Sequence, residues 1–269
     1  MIRINLWGVM GSIPGASSEM VDFGSNTSCI SVVDDQTVII LDAGSGIIHS
    51  HEVTKNATEI HLFITHYHMD HLIGLPLWDQ LYDQTKRIHI HGPLLNGFDV
   101  ETAVRGFIHA PYFPITLDKI QASIEFHTVK ERTTLDIGNF TVEGLLVGHP
   151  GGNMAYKIKN KEMTFGYITD IDLDHADSIQ VVGFFDGMKL AYLDTHFTNM
   201  EYVREKYKGW GHSSMESGVL FRDKASIGTL LLGHHAPHRT VRTLMQFIER
   251  YQDEEVMFAK EGMRFEFNE

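Results

Sequence analysis

Cysteine is nearly absent from this sequence, since Cys29 is the only one among 269 residues. One thiol cannot form an intramolecular disulfide, and it cannot build a metal site from several cysteine ligands. Any metal site must therefore use nitrogen and oxygen ligands, and the lack of disulfides is typical of a cytoplasmic protein. Because Cys29 lies in an apolar run, we expect it to pack as a small apolar side chain.

Long apolar segments and an excess of positive charge are also missing. Residues 1–7 alternate between polar and apolar types, so we expect neither a signal peptide nor a membrane-spanning segment. The 22 Lys and Arg against 35 Asp and Glu give a net charge of −13. This charge repels a long polyanion and argues against duplex nucleic acid as a partner. A small phosphate ester stays compatible with it, because bound cations invert the local field.

No repeat, low-complexity tract or linker-like composition divides the chain, so residues 1–269 are expected to form a single domain. Runs of β-branched and aromatic residues predict strands, beginning with an antiparallel, hairpin-rich segment. The predicted strands are 2–9, 28–33, 37–41, 60–65, 124–128, 140–147, 154–158, 163–169, 190–194 and 228–233. Apolar spacing predicts helices over 72–81, from a capping box at 213–216 through 224, and over 237–251. The pattern indicates an α/β protein with two sheets flanked by helices.

Residues 98–118 are less regular, and Pro111 and Pro114 prevent regular structure in their second half. We predict that this segment is an insertion that forms a lid or a dimer contact. Tyr112 lies within it, and it can stack on a nucleobase, pack across a dimer contact or pack within the monomer. An apolar, aromatic surface around this segment would suit a homodimer.

Histidine is abundant, with 17 residues, and four potential metal ligands crowd into residues 66–71. His66 and His68 share one face of an extended strand end, and Asp70 and His71 follow in the next turn. This spacing suits a dinuclear site, with the first two imidazoles aimed at one ion and the Asp–His pair at the other. A solvent-facing strand end is the alternative, and the crowding of imidazoles favours the metal site.

The sequence resembles the metallo-β-lactamase superfamily, whose His-x-His-x-Asp-His motif stands here as His66, His68, Asp70 and His71. Within that superfamily, the segments 65–71, 149–152 and 211–214 resemble phosphodiesterases of the ribonuclease Z and phosphoribosyl cyclic phosphate phosphodiesterase type. The resemblance implies a four-layer αββα sandwich of two mixed sheets, which is the metallo-β-lactamase fold.

The same resemblance implies the remaining metal ligands. His149 would complete the ligands of the first ion, Asp170 would bridge both ions, and His234 would complete the second. On the residues alone, Asp172 or Asp174 is an alternative bridge, and His235 is an alternative last ligand. Strand alternation does not choose between neighbours in a turn. We expect two divalent ions, Zn²⁺ before Mn²⁺ or Fe²⁺, since imidazole ligands suit all three metals.

Other polar residues are expected beside the ions. The resemblance gives Asp42 the role of orienting the histidine loop without touching metal. Asp70, Asp194 and His212 are the predicted catalytic residues, and the Asp194–His212 pair resembles the acid and histidine with which this branch protonates a leaving oxygen. His196 departs from the family pattern and is interpreted as structural.

Three residues are candidates for contacts with the substrate, namely Asn26, His238 and Tyr112. Asn26 also fits ordinary turn chemistry, and His238 also fits a helix cap after Pro237. These structural interpretations stay open beside the functional ones.

The predicted function is that of a dinuclear metal-dependent phosphodiesterase that hydrolyses a small cyclic phosphodiester, such as a cyclic nucleotide, with a metal-activated hydroxide. The core motif alone does not separate this activity from thioester or lactone hydrolysis, from cleavage of RNA ends, or from a non-hydrolytic di-metal sensor. His68 argues against the di-iron flavoprotein type of sensor, because the resemblance would then call for glutamate at this position. Some phosphoribosyl cyclic phosphate enzymes have an additional zinc site built from cysteines. This chain cannot build that site, because Cys29 is its only cysteine.

Overall fold

The computed structural model describes residues 1–15, 20–173, 178–204, 207, 209–251 and 255–268. The strands of the described residues are β1 (Ile2–Gly8), β2 (Cys29–Val33), β3 (Val38–Leu41), β4 (Glu59–Phe63), β5 (Arg87–Pro93), β6 (Ser123–Val129), β7 (Thr134–Ile137), β8 (Phe140–Val147), β9 (Asn153–Lys159), β10 (Thr164–Ile168), β11 (Leu190–Asp194), β12 (Thr229–Gly233), β13 (Val256–Phe258) and β14 (Arg264–Phe267). The α-helices are α1 (His51–Thr54), α2 (Val100–Phe107), α3 (Ser178–Phe185), α4 (Asn199–Tyr202), α5 (Met215–Lys224) and α6 (Val241–Tyr251).

These strands form two mixed sheets of seven strands each. The first has the order β14-β1-β2-β3-β4-β5-β6, and the second has the order β13-β12-β11-β10-β9-β8-β7. In the first sheet β14, β1, β2 and β3 pair antiparallel, whereas β3 to β6 run parallel. In the second sheet β10 to β13 run parallel, and β7 to β10 run antiparallel. The prediction of an α/β protein with two mixed sheets is confirmed.

Three apolar layers hold the sheets and helices together. The middle layer lies between the two sheets and includes Phe63, Tyr156 and Leu231. A second layer, which includes Trp78, packs between the first sheet and its outer helices, and a third layer, which includes Phe221, does the same for the second sheet. Each sheet is therefore buried on both faces, which gives the four-layer αββα arrangement.

The segment after the histidine motif is not the helix that its apolar spacing predicts over 72–81. It forms three short 3₁₀ helices at Met69–His71, Leu75–Leu77 and Asp79–Tyr82. Pro76 lacks the N–H that a continuous helix needs at this point. The N–H of Gly74 donates instead to Ala43 O at 3.0 Å, and a Cβ on Gly74 would lie 2.2 Å from Gly44 O. A tertiary contact thus replaces the helical hydrogen bond here.

The start of the chain is only partly the antiparallel hairpin unit that was predicted. Strand β4 lies parallel to β3, because a crossover through a 3₁₀ helix (Ser45–Ser50) and α1 returns the chain to the same edge. The sequence prediction missed β5, β7, β13 and β14. Helix α5 begins at Met215, and its N-cap is Ser214. The N-cap thus lies one residue after Ser213, where the predicted capping box begins.

In the described ranges of the chain, we find no helix with the length and apolar character that a bilayer crossing requires.

A test of the middle layer uses strand β12, which pairs with β11 and β13 in the second sheet. Leu231→Ala removes a fully buried side chain between the sheets, so we expect it to lower the free energy of unfolding by about 2–5 kcal/mol. Urea unfolding at a fixed zinc concentration measures the change. Leu220→Ala on α5 is the matched control, because Leu220 is 58% exposed and should change stability by less than about 0.5 kcal/mol. Equal effects of the two substitutions would contradict the assigned core.

Candidate metal centre

The predicted ligands meet at one edge of the sandwich, where strands of both sheets have their carboxyl ends. The loop after β4 carries the histidine motif, residues 66–71, across this edge of the first sheet. From the second sheet, His149 follows β8, Asp170 follows β10 and His234 follows β12. Because β8, β10 and β12 point the same way, their following loops converge on the histidine motif.

The first ligand group consists of His66, His68, His149 and Asp170. His66 Nε2 lies 3.6 Å from Asp170 Oδ2, and His149 Nε2 lies 3.7 Å from the same oxygen. His68 Nδ1 and His149 Nε2 are 3.1 Å apart. Three imidazole nitrogens and one carboxylate oxygen thus face a common point.

The second ligand group consists of Asp70, His71, His234 and again Asp170. His71 Nε2 lies 3.4 Å from Asp70 Oδ2 and 3.3 Å from Asp170 Oδ1. His234 Nε2 lies 3.3 Å from Asp70 Oδ2 and 3.1 Å from Asp170 Oδ1. The two oxygens of Asp170 therefore belong to different groups.

These two groups fit divalent cations better than they fit a hydrogen-bonded network. Four ligands at zinc-like bond lengths stand about 3.3 Å from one another in a tetrahedron, and the separations above scatter around that value. His66 Nε2 and His71 Nε2 are buried and have no hydrogen-bond partner among the described residues. Buried polar atoms are rarely left without a partner, so both point to bound ions. If two ions were bound, Asp170 would contribute a carboxylate oxygen to each group.

Three residues at the edge adopt backbone conformations that are rare outside glycine. Asp42, Asp170 and His234 have φ values of 59°, 53° and 53°, and each follows the end of a buried strand. Such left-handed residues cost free energy, and they concentrate at functional sites where the surrounding structure holds them in place. Here the conformation turns a side chain from the strand end toward the ligand groups.

Asp42 fixes the loop that carries the histidine motif. Its Oδ2 accepts hydrogen bonds from His71 Nδ1 at 2.7 Å and from the Tyr167 hydroxyl at 2.9 Å. Its Oδ1 accepts the Thr65 backbone N–H at 2.8 Å. A ligating histidine is commonly oriented by a carboxylate on its other ring nitrogen. Asp42 thus has the contacts that an orienting carboxylate needs, and its role stays a prediction.

Asp194 and His212 form a buried pair beside the centre. His212 Nδ1 lies 2.8 Å from Asp194 Oδ2, and the same nitrogen lies 4.0 Å from Asp170 Oδ2. His196 stacks on His212 with ring centroids 4.4 Å apart, and its Nδ1 is 3.0 Å from His234 O. Asp194 therefore holds one nitrogen of His212, and the ring is placed next to the first ligand group.

Opposite charges balance one another within the centre. Burial works against ionisation of Asp170, yet the imidazoles of His234 and His71 hold the pKa of this carboxyl well below its ordinary value. Burial also works against protonation of His234, but Asp170 and Asp194 raise its pKa to about 10. The carboxylates at this edge thus favour positive charge nearby. Divalent cations would supply this charge in place of the protons on the histidines.

Comparison with protein families identifies the chain. The sequence model of the beta-lactamase superfamily domain matches residues 37–235, which is well over half of the chain. The protein belongs to this superfamily. The matched segment contains every residue of the two ligand groups, from His66 to His234.

Curated relatives of this superfamily member include ribonucleases Z. The enzyme from Thermoplasma acidophilum is 22% identical over 314 aligned positions, which cover 98% of this chain and 96% of that protein. The enzyme from Pyrococcus furiosus is 25% identical over 142 positions, which cover 51% of this chain and 43% of that protein. The chain thus spans less than half the length of the Pyrococcus relative in their alignment.

Solved structures share the fold of this chain over nearly its whole length. YhfI from Bacillus subtilis, described as a metallo-β-lactamase fold protein, gives a TM-score of 0.73 at 18% identity and covers 99% of this chain and 100% of its own. A diphosphatase from the PhnP family gives a TM-score of 0.75 at 14% identity and covers 100% and 98%. The predicted metallo-β-lactamase fold is confirmed.

The structure separates the alternatives for two ligands. Asp172 lies outside both ligand groups, and its carboxylate accepts the Tyr202 hydroxyl at 2.8 Å. Asp174 lies outside the described residues. His235 points away from the centre. Its Nε2 lies 2.9 Å from Ala259 O, and its ring meets the Phe23 ring edge-on. The geometry therefore favours Asp170 and His234 as the ligands of the superfamily centre.

The three candidate substrate contacts lie in different places. Asn26 is engaged within the protein, since its Nδ2 donates to Glu261 and its Oδ1 accepts from Ser45. His238 lines a cavity of about 610 Å³ together with His196. Tyr112 is 81% exposed and lines a larger cavity that opens at His66.

Several supporting residues were missed by the sequence reasoning. Thr65, Tyr167 and the backbone N–H of Ser12 position Asp42 and Asp70, with Ser12 N 2.8 Å from Asp70 Oδ2. Thr65 directly precedes the motif, which is a local signal. Tyr167 lies on a strand of the other sheet and Ser12 lies 58 residues from Asp70, so no local signal existed for them.

A test of the first ligand group uses Gly211, whose carbonyl accepts from His149 Nδ1 at 2.9 Å. A Cβ on this residue would lie 2.2 Å from Pro150 Cδ and 2.5 Å from His149 Nδ1. Because Gly211→Ala must displace His149, we expect about 10- to 100-fold weaker binding of one zinc ion. Competition with a chromophoric chelator measures the affinity.

The matched control is Gly209→Ala, since Gly209 has a similar φ of +75° and a Cβ there meets nothing within 4 Å. The control carries the same kind of backbone strain without the clash. If both variants lose zinc affinity equally, strain rather than displacement of His149 is the cause. Unchanged zinc affinity in Gly211→Ala would contradict the assignment of His149 as a ligand.

Proposed function

We propose that the protein is a dinuclear metal-dependent phosphodiesterase that hydrolyses a small cyclic phosphodiester, with a cyclic nucleotide as the preferred class. The observation that carries this proposal is the pair of ligand groups that share Asp170, with the Asp194–His212 pair directly beside them. Two bound divalent ions would supply an activated water nucleophile and neutralise charge on the phosphate oxygens. The three imidazoles of the first group support Zn²⁺, with Mn²⁺ or Fe²⁺ as alternatives.

The chain's own residues provide the proton for the leaving group in this proposal. Burial opposes protonation of His212, but the Asp194 carboxylate raises the pKa of this imidazole. Asp194 holds Nδ1 at 2.8 Å, so Nε2 is the atom that faces a substrate. A protonated imidazole in this position would donate to the departing alkoxide as a general acid.

The cavity beside the first ligand group supports a small substrate with an apolar or aromatic part. It has a volume of about 750 Å³ and begins at His66 and His68. Its apolar and aromatic lining consists of Tyr67, Met69, Leu72, Ile73, Pro76, Leu77, Leu95, Phe98, Ala103, Phe107, Tyr112, Phe113 and Pro150. Among the described residues that line it there is no lysine or arginine. A nucleobase fits such a wall by stacking, whereas a long phosphate backbone finds no countercharge.

The predicted insertion at 98–118 provides one side of this cavity through α2 and through Tyr112 and Phe113. We propose that it acts as the lid over the substrate. Phe98 and Leu77 at the cavity are 55% and 65% exposed, and this apolar rim is the surface on which a second copy would pack in a homodimer.

Cleavage of RNA ends is the second candidate function. It is favoured by the ribonuclease Z of Thermoplasma acidophilum, which this chain matches over 96% of that protein's length. The net charge of −13 and the apolar cavity weigh against a large RNA substrate. A direct comparison of substrates separates the two candidates.

The test of function compares substrates on protein reconstituted with zinc or manganese. We expect turnover of a 2′,3′- or 3′,5′-cyclic nucleotide, and a loss of more than about a hundredfold in Asp170→Asn, because both ligand groups lose a charged oxygen. Circular dichroism verifies that the variant is folded. Cleavage of a precursor tRNA without cyclic nucleotide turnover would establish the second candidate, and full activity of Asp170→Asn would contradict both.

The general-acid role predicts a dependence on the leaving group. His212→Asn should lower kcat for a cyclic nucleotide about 10²- to 10⁴-fold, because the ribose alkoxide needs a proton. Turnover of bis(4-nitrophenyl) phosphate should change little, since nitrophenolate leaves without protonation. His49→Asn is the matched control, because His49 is exposed, lies outside both ligand groups and does not line either cavity. An equal loss on both substrates would show that His212 acts on the metal centre rather than on the leaving group.

A further inference from the structure

Four histidines outside the metal centre form a ladder across three parallel strands of the first sheet. His61 lies on β4, His89 and His91 lie on β5, and His127 lies on β6. The register places His61 opposite His89 and His91 opposite His127. The rings stack, with centroids 4.7 Å apart in each of these two pairs. We call these four residues the histidine ladder.

Hydrogen bonds within the ladder orient two of its rings. His61 Nδ1 is 3.1 Å from His91 Nε2, and His89 Nδ1 is 3.0 Å from His127 Nε2. With Nδ1 of His61 and of His89 engaged in this way, each ring has its Nε2 on the side of Glu59. A second imidazole thus fixes each ring, as acceptors do for histidines that bind metals.

Glu59 completes a group of three potential ligands. Its Oε1 lies 3.4 Å from His61 Nε2 and 3.4 Å from His89 Nε2, and the three atoms lie within 4.8 Å of one another. Both separations are longer than ordinary N–H···O hydrogen bonds. They match the spacing of about 3.3 Å between ligands around a tetrahedral zinc ion.

An unpartnered atom points into this group. His89 Nε2 is buried and has no hydrogen-bond partner among the described residues, which is the property that also marks His66 and His71 in the metal centre. The His61 and His89 side chains are 14% and 12% exposed, whereas Glu59 is 53% exposed. The two imidazoles are therefore largely buried, whereas the carboxylate of Glu59 faces solvent.

We propose that Glu59, His61 and His89 bind one further divalent ion of the zinc class, separate from the two ions of the metal centre. Two imidazoles and one carboxylate are the ligand set of many zinc sites, whereas Mg²⁺ and Ca²⁺ prefer oxygen ligands alone. The three ligands come from two adjacent strands, so the ion would tie β4 to β5 on the face that carries the ladder. His91 and His127 act as the positioning residues of this site.

The test counts zinc ions on the full-length protein, with dialysis followed by mass spectrometry of the metal and by competition with a chelator. We expect the wild-type chain to hold one zinc more than Glu59→Gln, or to bind its last zinc at least tenfold more tightly. Glu59 is exposed, so this substitution should leave the fold intact. His61→Asn, with its melting temperature measured in parallel, should show the same loss.

Glu125→Gln is the matched control, since Glu125 lies on the other side of His89, 3.6 Å from Nδ1, and is 50% exposed. It should keep the additional zinc. Asp170→Asn, which weakens the metal centre, should also keep it, so the failure of this site and the failure of the proposed phosphodiesterase are distinguishable. Equal zinc content and affinity in wild type and Glu59→Gln, or a loss confined to Glu125→Gln, would overturn the assignment.

Discussion

The shared carboxylate of Asp170 is the constraint on which the metal centre depends. One of its oxygens faces three histidines, and the other faces Asp70, His71 and His234. The residue stands at the end of a buried strand of the second sheet with a φ of 53°, while the histidine motif comes from the first sheet. The centre therefore forms only if the two sheets face each other in one register.

Polar contacts between the sheets enforce this register at the ligand edge. The Met154 N–H donates to Thr65 O at 3.0 Å, and the Tyr156 hydroxyl donates to Ile64 O at 2.8 Å. The Tyr167 hydroxyl reaches Asp42 from the second sheet at 2.9 Å. Each of these groups is buried, so breaking the register would leave unpaired polar atoms in the interior. The apolar layer between the sheets gives the stability, and these hydrogen bonds give the alignment.

Charge has opposite effects near the centre and away from it. At the ligand edge, carboxylates hold histidines such as His234 in a state that favours positive charge. In the histidine ladder, burial and neighbouring imidazoles lower the pKa of His61 and that of His91. The cavity that opens at His66 is different again, because apolar side chains dominate its wall. The proposed small, partly apolar substrate and the proposed separate metal ion both follow from these local environments rather than from the net charge of −13.

The sequence by itself determined the elements whose signals are local. Six of the eight residues of β8 are apolar or β-branched, and the six residues from His66 to His71 carry enough ligands to predict a metal site. It did not predict the 3₁₀ helices after His71, because a hydrogen bond from Gly74 to Ala43, thirty-one residues away, overrides apolar spacing. Nor did it show the short edge strands, whose pairing depends on partners elsewhere in the chain.

Only the tertiary structure separates neighbours such as His234 and His235, or Asp170 and Asp172, by placing one of each pair among the two ligand groups and the other outside them. The sequence pattern does not distinguish adjacent residues of the same type in a turn. The direction of each side chain depends on the backbone conformation, which packing imposes. The histidine ladder is a further example, since His61, His89 and His127 lie far apart in sequence and meet only through parallel strand pairing. Local sequence can name the ligand types, but the distances that make them a site arise from the register of the sheets.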